Sequence, residues 1–311
     1  MGKRVGRNAP SIIVIGSSNT DMVVTAPRIP VPGETILGGS FAVMPGGKGA
    51  NQAVAAARLG SDVTFVTRIG NDSFGNEALN HYRNDRIDTS HIVRDEDTPS
   101  GIAMIMVDAA GENAIAVASG ANMKLTVEDV DRAEQSIADA DIMILQLEVS
   151  YEAVLHAAAL AAKHRVPVIL DPAPARDLDD VLLQQVDYLT PNETEARILT
   201  GVDVTDSASA DHAARVLLSR GVSTVILTLG AKGAWWATPD SNGSVTTATV
   251  DSVDTTAAGD AFNGGLAVAL ARGLPLTEAI RFANHTGAVS VTRPGAQPSL
   301  PAAEEVERLM G

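Results

Sequence analysis

The chain has 311 residues, enough to bury a large core, and 45% hydrophobic against 20% charged residues is the balance of a folded globular protein. Its formal net charge of −15 disfavours nucleic acid and membrane surfaces as partners, and it would repel a nucleotide unless backbone donors or cations stand at the site itself. The absence of cysteine excludes disulfides, thiolate nucleophiles and Cys-based metal sites, and the six histidines are scattered, with no HExxH pair to hold zinc.

The first ten residues are basic, but the apolar run at 12–15 is too short for a signal-peptide core, and Gly6 stands where myristoylation needs Ser or Thr. No run approaches the ~18 apolar residues of a membrane span. A cytoplasmic protein is expected. The run at 12–15 is the first predicted strand. Residues 22–44 follow, with Val23-Val24, a Pro/Gly stretch and Thr35-Ile36-Leu37. Ala50, Ala53, Val54 and Ala57 then recur at helical spacing, ahead of a strand at 63–66. Residues 101–119 read as two strands around Asp108-Ala-Ala-Gly-Glu112, a hairpin signal. Next come a helix over 127–138, a strand over 142–147, a helix over 151–164 and a strand over 166–170. A helix over 208–219, a strand over 224–229 and helices over 259–272 and 276–292 complete the pattern.

Strands with nearly continuous apolar runs are buried on both faces, so the alternation predicts an α/β, doubly wound, mostly parallel sheet flanked by helices. The segments 18–44 and 99–120 have no helix to cover them. They are expected to pair as a small antiparallel β sheet, a lid or a dimerisation surface, on a main domain built from 1–17, 45–98 and 121–311.

Ligands of open α/β sheets gather where strands end and helices begin. The most informative such place is Asp254-Thr-Thr-Ala-Ala-Gly-Asp-Ala-Phe-Asn263. Small residues lead into a helix start, whose unpaired N–H groups and positive dipole end suit an oxygen-rich group. Asp260 there reads either as a first-turn carboxylate favoured by the dipole or as a general base beside a phosphoryl group, and spacing leaves both open. A second Gly-rich turn, Met44-Pro-Gly-Gly-Lys-Gly-Ala-Asn-Gln-Ala53, feeds a helix. It is not a Walker A loop, because Ala42 and Gly49 stand where Gly and Ser/Thr are required. Gly46, Gly47, Lys48 and Asn51 suit close approach to a polar ligand, or simply a tight helix entry. Asn19 and Asp21 after the first strand are able to hold adjacent hydroxyls or to cap a turn. Glu148 and Asp171 end apolar strands, Asn192 and Glu195 share a turn, and Thr228-Leu-Gly-Ala-Lys-Gly233 follows a buried strand.

Together these segments resemble the PfkB carbohydrate kinase family, from the first strand to Pro301, with the motifs in family order. Gly46-Gly47…Asn51 resembles its first signature and Asp254–Phe262 its second. Gly47-Lys-Gly-Ala-Asn-Gln-Ala53, Gln146-Leu-Glu148, Asp171-Pro-Ala-Pro-Ala175, Pro191-Asn-Glu-Thr-Glu-Ala196 and Thr292-Arg-Pro-Gly-Ala-Gln-Pro-Ser299 are similar to the members that act on ribose. The resemblance implies ATP-dependent phosphorylation of D-ribose at O5. Asp260 would be the base, and the amides of Ala257, Ala258, Gly259 and Asp260 the anion hole. Asn19, Asp21, Gly46, Gly47, Lys48, Asn51 and Glu148 would line the sugar site. Asn192, Thr228, Gly230, Gly233, Gly259 and Asn284 would contact ATP. It further implies an activating K+ on Asp254, Ser299 and the carbonyls of Thr256, Ser290, Arg293 and Gly295. Mg2+ would arrive with ATP, ordered with help from Glu195, and the lid would join a homodimer. Asn284 departs from the His of those kinases, Thr256 and Ser290 from apolar residues, and Asn71-Asp72 from Asp-Asp. The alternatives are a deoxyribose, nucleoside or ketose kinase, and a non-catalytic sensor on the same fold. Asp21 discriminates among the sugars, because a carboxylate clasping two hydroxyls loses a partner when one is missing.

Overall fold

The computed structural model describes residues 9–311; the basic opening read above lies outside the described residues. The N-terminal half contains β1 (Ser11–Ile15), β2 (Asn19–Thr25), β3 (Ser40–Gly46), α1 (Lys48–Arg58), β4 (Asp62–Gly70), α2 (Ser73–Asn84), β5 (Ile92–Asp95), β6 (Gly101–Val107) and β7 (Asn113–Ala118). The middle contains α3 (Val127–Asp131), α4 (Glu134–Asp139), β8 (Ile142–Leu145), α5 (Tyr151–His164), β9 (Val168–Leu170), α6 (Asp180–Leu183), β10 (Tyr188–Leu189), α7 (Glu193–Thr200) and α8 (Ser207–Ser219). Strands β11 (Thr224–Thr228), β12 (Ala234–Ala237) and β13 (Asn242–Val245) precede helices α9 (Ala258–Ala271), α10 (Leu276–Ser290) and α11 (Ala303–Met310).

Nine strands form one sheet in the order β13-β12-β11-β10-β9-β8-β1-β4-β5, in which only β12 runs against the others. The alternation of β1 explains its two cores. Ile12 and Val14 pack with α1, α9 and α10, while Ile13 and Ile15 pack with the layer holding α5 and α8. Small residues let the first layer close tightly: a Cβ on Gly264 of α9 would lie 2.6 Å from the Ala55 Cβ of α1. The N-terminal ends of α1 and α9 are thereby held side by side.

The second sheet has the order β3-β2-β6-β7. Its outer ladders are antiparallel as expected, but the central β2–β6 pair is parallel. Both strands continue outward from the parallel main sheet, one after β1 and the other after β5, so they run in the same direction. Strand β3 also extends two residues past the expected boundary at 44. The helix expected over 127–138 is broken at Arg132-Ala133, which turns both Val130 and Ile137 into one core. Helix α2 escaped sequence reading because its apolar residues are sparse; it starts on Asp72, whose side chain accepts from Gly75 N at 2.8 Å. Among the described residues no helix is long and apolar enough to cross a membrane.

Candidate active site

The main sheet switches direction at β1: the chain first builds outward to β4 and later returns to lay β8 on the other side. Ligand crevices of open α/β sheets lie at the strand C-termini beside such a switch. Here β1 leads through Ser17 and Ser18 to Asn19 and Asp21, β8 leads to Glu148, and β9 to Asp171. Gly47 starts α1 at φ 90°, and a Cβ there would sit 2.6 Å from Asn19 N, so only glycine brings the helix this close to β2. A Cβ on Gly46 would lie 2.2 Å from an Asp21 carboxylate oxygen, so glycine there leaves that carboxylate its room.

The side chains that converge in this crevice are mainly acceptors. Asp21 is buried, and among the described residues no group donates a hydrogen bond to its carboxylate. Burial, then Glu148 and Asp260, push its pKa up to about 6. Asn51 Nδ2 donates to Asp260 Oδ2 at 2.8 Å, leaving the buried Asn51 Oδ1 without a partner. Glu148 accepts from Ser17 Oγ at 2.5 Å and from Lys48 N at 3.2 Å, which ties β8 to the start of α1. Asn19 Oδ1 accepts from Asn122 Nδ2 at 2.7 Å. Burial works against the charge of Lys48, but Asp260, Asp171, Glu148 and Glu195 outweigh it and hold its pKa above the ordinary lysine value.

Asp260 lies in the first turn of α9 and is buried. Burial raises its pKa, and Lys48, Asn51 and Gln52 pull it back only in part, so this carboxylate is more basic than a free one. Ala257 begins the helix in the left-handed conformation, φ 59°, which is costly for a residue with a Cβ and recurs at functional sites. The resemblance takes the amides of Ala257, Ala258, Gly259 and Asp260 as the anion hole; in this structure the Ala258 N–H bonds Thr255 O at 3.2 Å. Gly259 and Asp260 occupy the turn whose N–H groups have no intrahelical acceptor, and a Cβ on Gly259 would meet nothing within 4 Å. A buried carboxylate, two helix-start amides and open space thus adjoin the acceptor cluster.

The model of the pfkB family carbohydrate kinases matches residues 9–303. The chain belongs to this family. A ribokinase of Haemophilus influenzae is 46% identical over 295 residues, covering 95% of this chain and 96% of its own. A deoxyribokinase of Salmonella typhimurium is 40% identical over 295 residues, covering 94% and 96%. Among solved structures, the Arabidopsis thaliana ribokinase complexed with ribose and ATP superposes with a TM-score of 0.90 at 32% identity, over 97% of this chain and 99% of that one.

The remaining family positions fall into two groups beside α9. Thr228 ends β11 and pairs with Asn192 through a parallel bridge. Gly233 has φ 89° and backs onto Val245 O, the same carbonyl that accepts from Asn284 Nδ2 at 2.9 Å, so Gly233 and Asn284 share one wall with the Gly230 turn. Asn192 and Glu195 are spent on a reciprocal cap of α7: Asn192 Oδ1 accepts from Glu195 N at 2.9 Å, and Glu195 Oε2 accepts from Asn192 N at 2.8 Å. The observed work of Glu195 is therefore to order this turn.

On the other side, Asp254 Oδ1 accepts from Thr256 N and Oγ1, and Oδ2 accepts from Gly295 N at 2.8 Å. Burial raises the Asp254 pKa, but these bonds outweigh it and leave the carboxylate more acidic than usual. Its backbone N–H bonds Val291 O at the end of α10, so Asp254, Thr256, Gly295 and the Ser290 turn are neighbours. Ser299 Oγ donates to Ala296 O at 2.8 Å, and the Ser290 carbonyl accepts from Arg293 N at 3.3 Å. An ionised carboxylate among carbonyls is an oxygen-only donor set, which fits a hard monovalent cation. Among the described residues no cluster of three acidic or His side chains is arranged to hold a metal by itself.

Sequence reasoning missed Ser17, Asn122 and Gln52 as members of the site. Ser17 immediately follows a predicted strand and was within reach of the strand-end rule. Asn122 arrives from a short 3₁₀ turn at Gly120–Lys124, about a hundred residues from its partners Ser18 and Asn19, and no spacing announces it.

Proposed function

We infer that this kinase transfers the γ-phosphoryl group of ATP to O5 of D-ribose, giving ribose 5-phosphate and ADP. The observation that carries the reading is the acceptor-rich crevice: Asp21, Glu148, Asp260 and Asn51 Oδ1 need a ligand rich in hydroxyl donors. A cluster of carboxylates also repels a sugar that already bears a phosphate. Asn19, Asp21, Gly46, Gly47, Asn51 and Glu148 form the sugar side in this proposal. Asn192, Thr228, Gly230, Gly233 and Asn284 form the nucleotide side. Asp260 takes the O5 proton as the O5–phosphorus bond forms and the bond to the ADP oxygen breaks. The Gly259 and Asp260 amides and Lys48 stabilise the charge on the transferring group.

Two ions belong to the proposal. Mg2+ arriving with ATP would supply positive charge to the leaving group. Asp254, Ser299 and the carbonyls of Thr256, Ser290, Arg293 and Gly295 would hold a K+, which would supply positive charge beside the start of α9. A screen of ADP release over pentoses, hexoses and nucleosides, with K+ or with a large organic cation, tests both points. Ribose with K+ should turn over fastest. Equal rates without K+ would remove the cation from the scheme, and no ADP release with any pentose would overturn the function. The Salmonella relative supports 2-deoxyribose as a second reading, and the same screen decides it. Use of cellular ATP is consistent with a cytoplasmic location.

The division into a main domain and a lid built from 18–44 and 99–120 is likewise part of the proposal, with the lid closing the crevice against water. Alternation along β2 puts Asp21 on one face and Met22 and Val24 on the other. In that second face Val43 and Met104 flank Met22 and Phe41 flanks Val24, and Phe41, Val43 and Met104 are exposed. An uncovered apolar sheet face of this kind supports a homodimer through the lids. Light scattering should give twice the chain mass for the native protein and the chain mass for Phe41→Asp/Met104→Lys; a native monomer at micromolar concentration would count against the dimer.

A further inference from the structure

Gln52 is fully buried and, among the described residues, is the one side chain that bonds both Asp260 and a second buried carboxylate. Its Nε2 donates to Asp260 Oδ1 at 2.9 Å and to Asp171 Oδ2 at 2.8 Å. Its Oε1 accepts from Gln146 Nε2 at 2.5 Å. Gln146 is also fully buried, and it fits only because residue 16 lacks a side chain: a Cβ there would lie 1.9 Å from Gln146 Oε1. The chain therefore runs from β8 through Gln146 to α1, and from Gln52 to both β9 and α9. Asn51 Nδ2 holds the other Asp260 oxygen. Both oxygens of the base are thus pinned by neighbouring residues of α1, one of which faces the crevice while the other is sealed from it.

We propose that Gln52 is a positioning residue for phosphoryl transfer, fixing Asp260 toward the acceptor hydroxyl, and that Asp171, joined to the same amide, serves the reaction as a neutral acid. The proposal rests on the kinase reading above. Gln52 is fully buried and acts through Asp260. A side chain amide has two N–H groups, and here both are committed to carboxylates, which sets the plane of the Asp260 carboxylate. Two ionised acids on one amide, close to an incoming polyphosphate, would repel each other and the nucleotide. Burial is what keeps Asp171 neutral, and its pKa is pushed up to about 8. The groups facing it are Lys48 and Gln52 from α1, Asp260 from α9 and Glu195 from α7; Lys48 and Gln52 lower the pKa, and the two acids raise it. A neutral Asp171 leaves Asp260 without a like charge on the shared amide.

The test uses the full chain with ATP, Mg2+ and D-ribose. Gln52→Met keeps the volume and removes both bonds. It should lower kcat by about 10- to 100-fold, the cost of misorienting a reacting group, with the KM for ribose within about twofold of the native value. Asp171→Asn keeps an oxygen for Gln52 and cannot ionise. Native kcat should fall above about pH 8, and this variant should lose that alkaline limb, whatever its rate at pH 7. A folded Gln52→Met enzyme with native kcat, or superimposable pH profiles of the native and Asp171→Asn enzymes, would overturn the inference. If Gln52→Met does not fold, the Asp171→Asn profile alone decides it. A native enzyme that releases no ADP with any pentose would instead overturn the kinase reading, so the two failures are distinguishable.

Discussion

Asp260→Asn is expected to lower kcat by about 10²- to 10⁴-fold while leaving the equilibrium affinity for ribose within a fewfold of the native value. The substitution keeps the size of the side chain and one oxygen for the Asn51 and Gln52 donors, so the start of α9 should survive. It removes the only feature that matters for proton transfer, a basic oxygen whose pKa burial has raised. A burst of ADP in a single turnover followed by slow cycling would place the limiting step elsewhere. A kcat within threefold of native would overturn the assignment of the base. Removing a buried carboxylate that sits among Asp21, Glu148, Asp171 and Glu195 also relieves repulsion, so the variant should melt no lower than the native protein at pH 8.

The expected stability change shows why this residue was ambiguous in sequence and is less so in three dimensions. A first-turn carboxylate that served only to complement a helix dipole would lie exposed at the helix end and stabilise the fold. Asp260 is buried, held on both oxygens by α1, and raised in pKa, so the fold keeps it at a cost. Its position in the sequence was legible because small residues and a helix pattern follow one another there. The bonds to Asn51 and Gln52 were not, since they join positions more than two hundred residues apart. The main sheet was legible for a related reason. Strands buried on both faces must be apolar throughout, so their sequences stand out. Strands β12 and β13 did not stand out, because Trp235, Trp236 and Gly243 lie at a half-exposed edge with no clear period. The parallel β2–β6 pair was not legible because a hairpin signal such as that of β6 and β7 fixes only local pairing. How a third strand joins depends on the direction in which it leaves the main sheet. Glu148 and Asp171 read alike in sequence, as acids that end apolar strands, and the fold separates them: one accepts from Ser17 and the start of α1, and the other shares an amide with Asp260.

Asp21 should make ribose binding pH-dependent in a way that Asp260 does not. In the free protein its pKa is pushed up to about 6 by burial and by Glu148 and Asp260. Sugar hydroxyls donate to the carboxylate and not to the neutral acid in the same manner, so binding should pull that pKa back down. The sign follows: affinity for ribose is full above about pH 6 and is lost as the pH falls through it, approaching tenfold per pH unit on the acidic side. Calorimetric titration with ribose in the absence of ATP isolates this effect from the protonation of Asp260 during turnover. Asp21→Asn should abolish the acidic loss and weaken binding at pH 7.5 by about 10- to 100-fold, the worth of hydrogen bonds to a charged group. If Asp21 clasps two adjacent hydroxyls, the native protein should also bind 2-deoxyribose more weakly than ribose, and Asp21→Asn should narrow that gap. A native affinity flat from pH 5 to 8, or equal affinities for the two sugars that the substitution leaves equal, would remove Asp21 from the sugar site. The acceptor-rich crevice would then have to be explained without its least satisfied member.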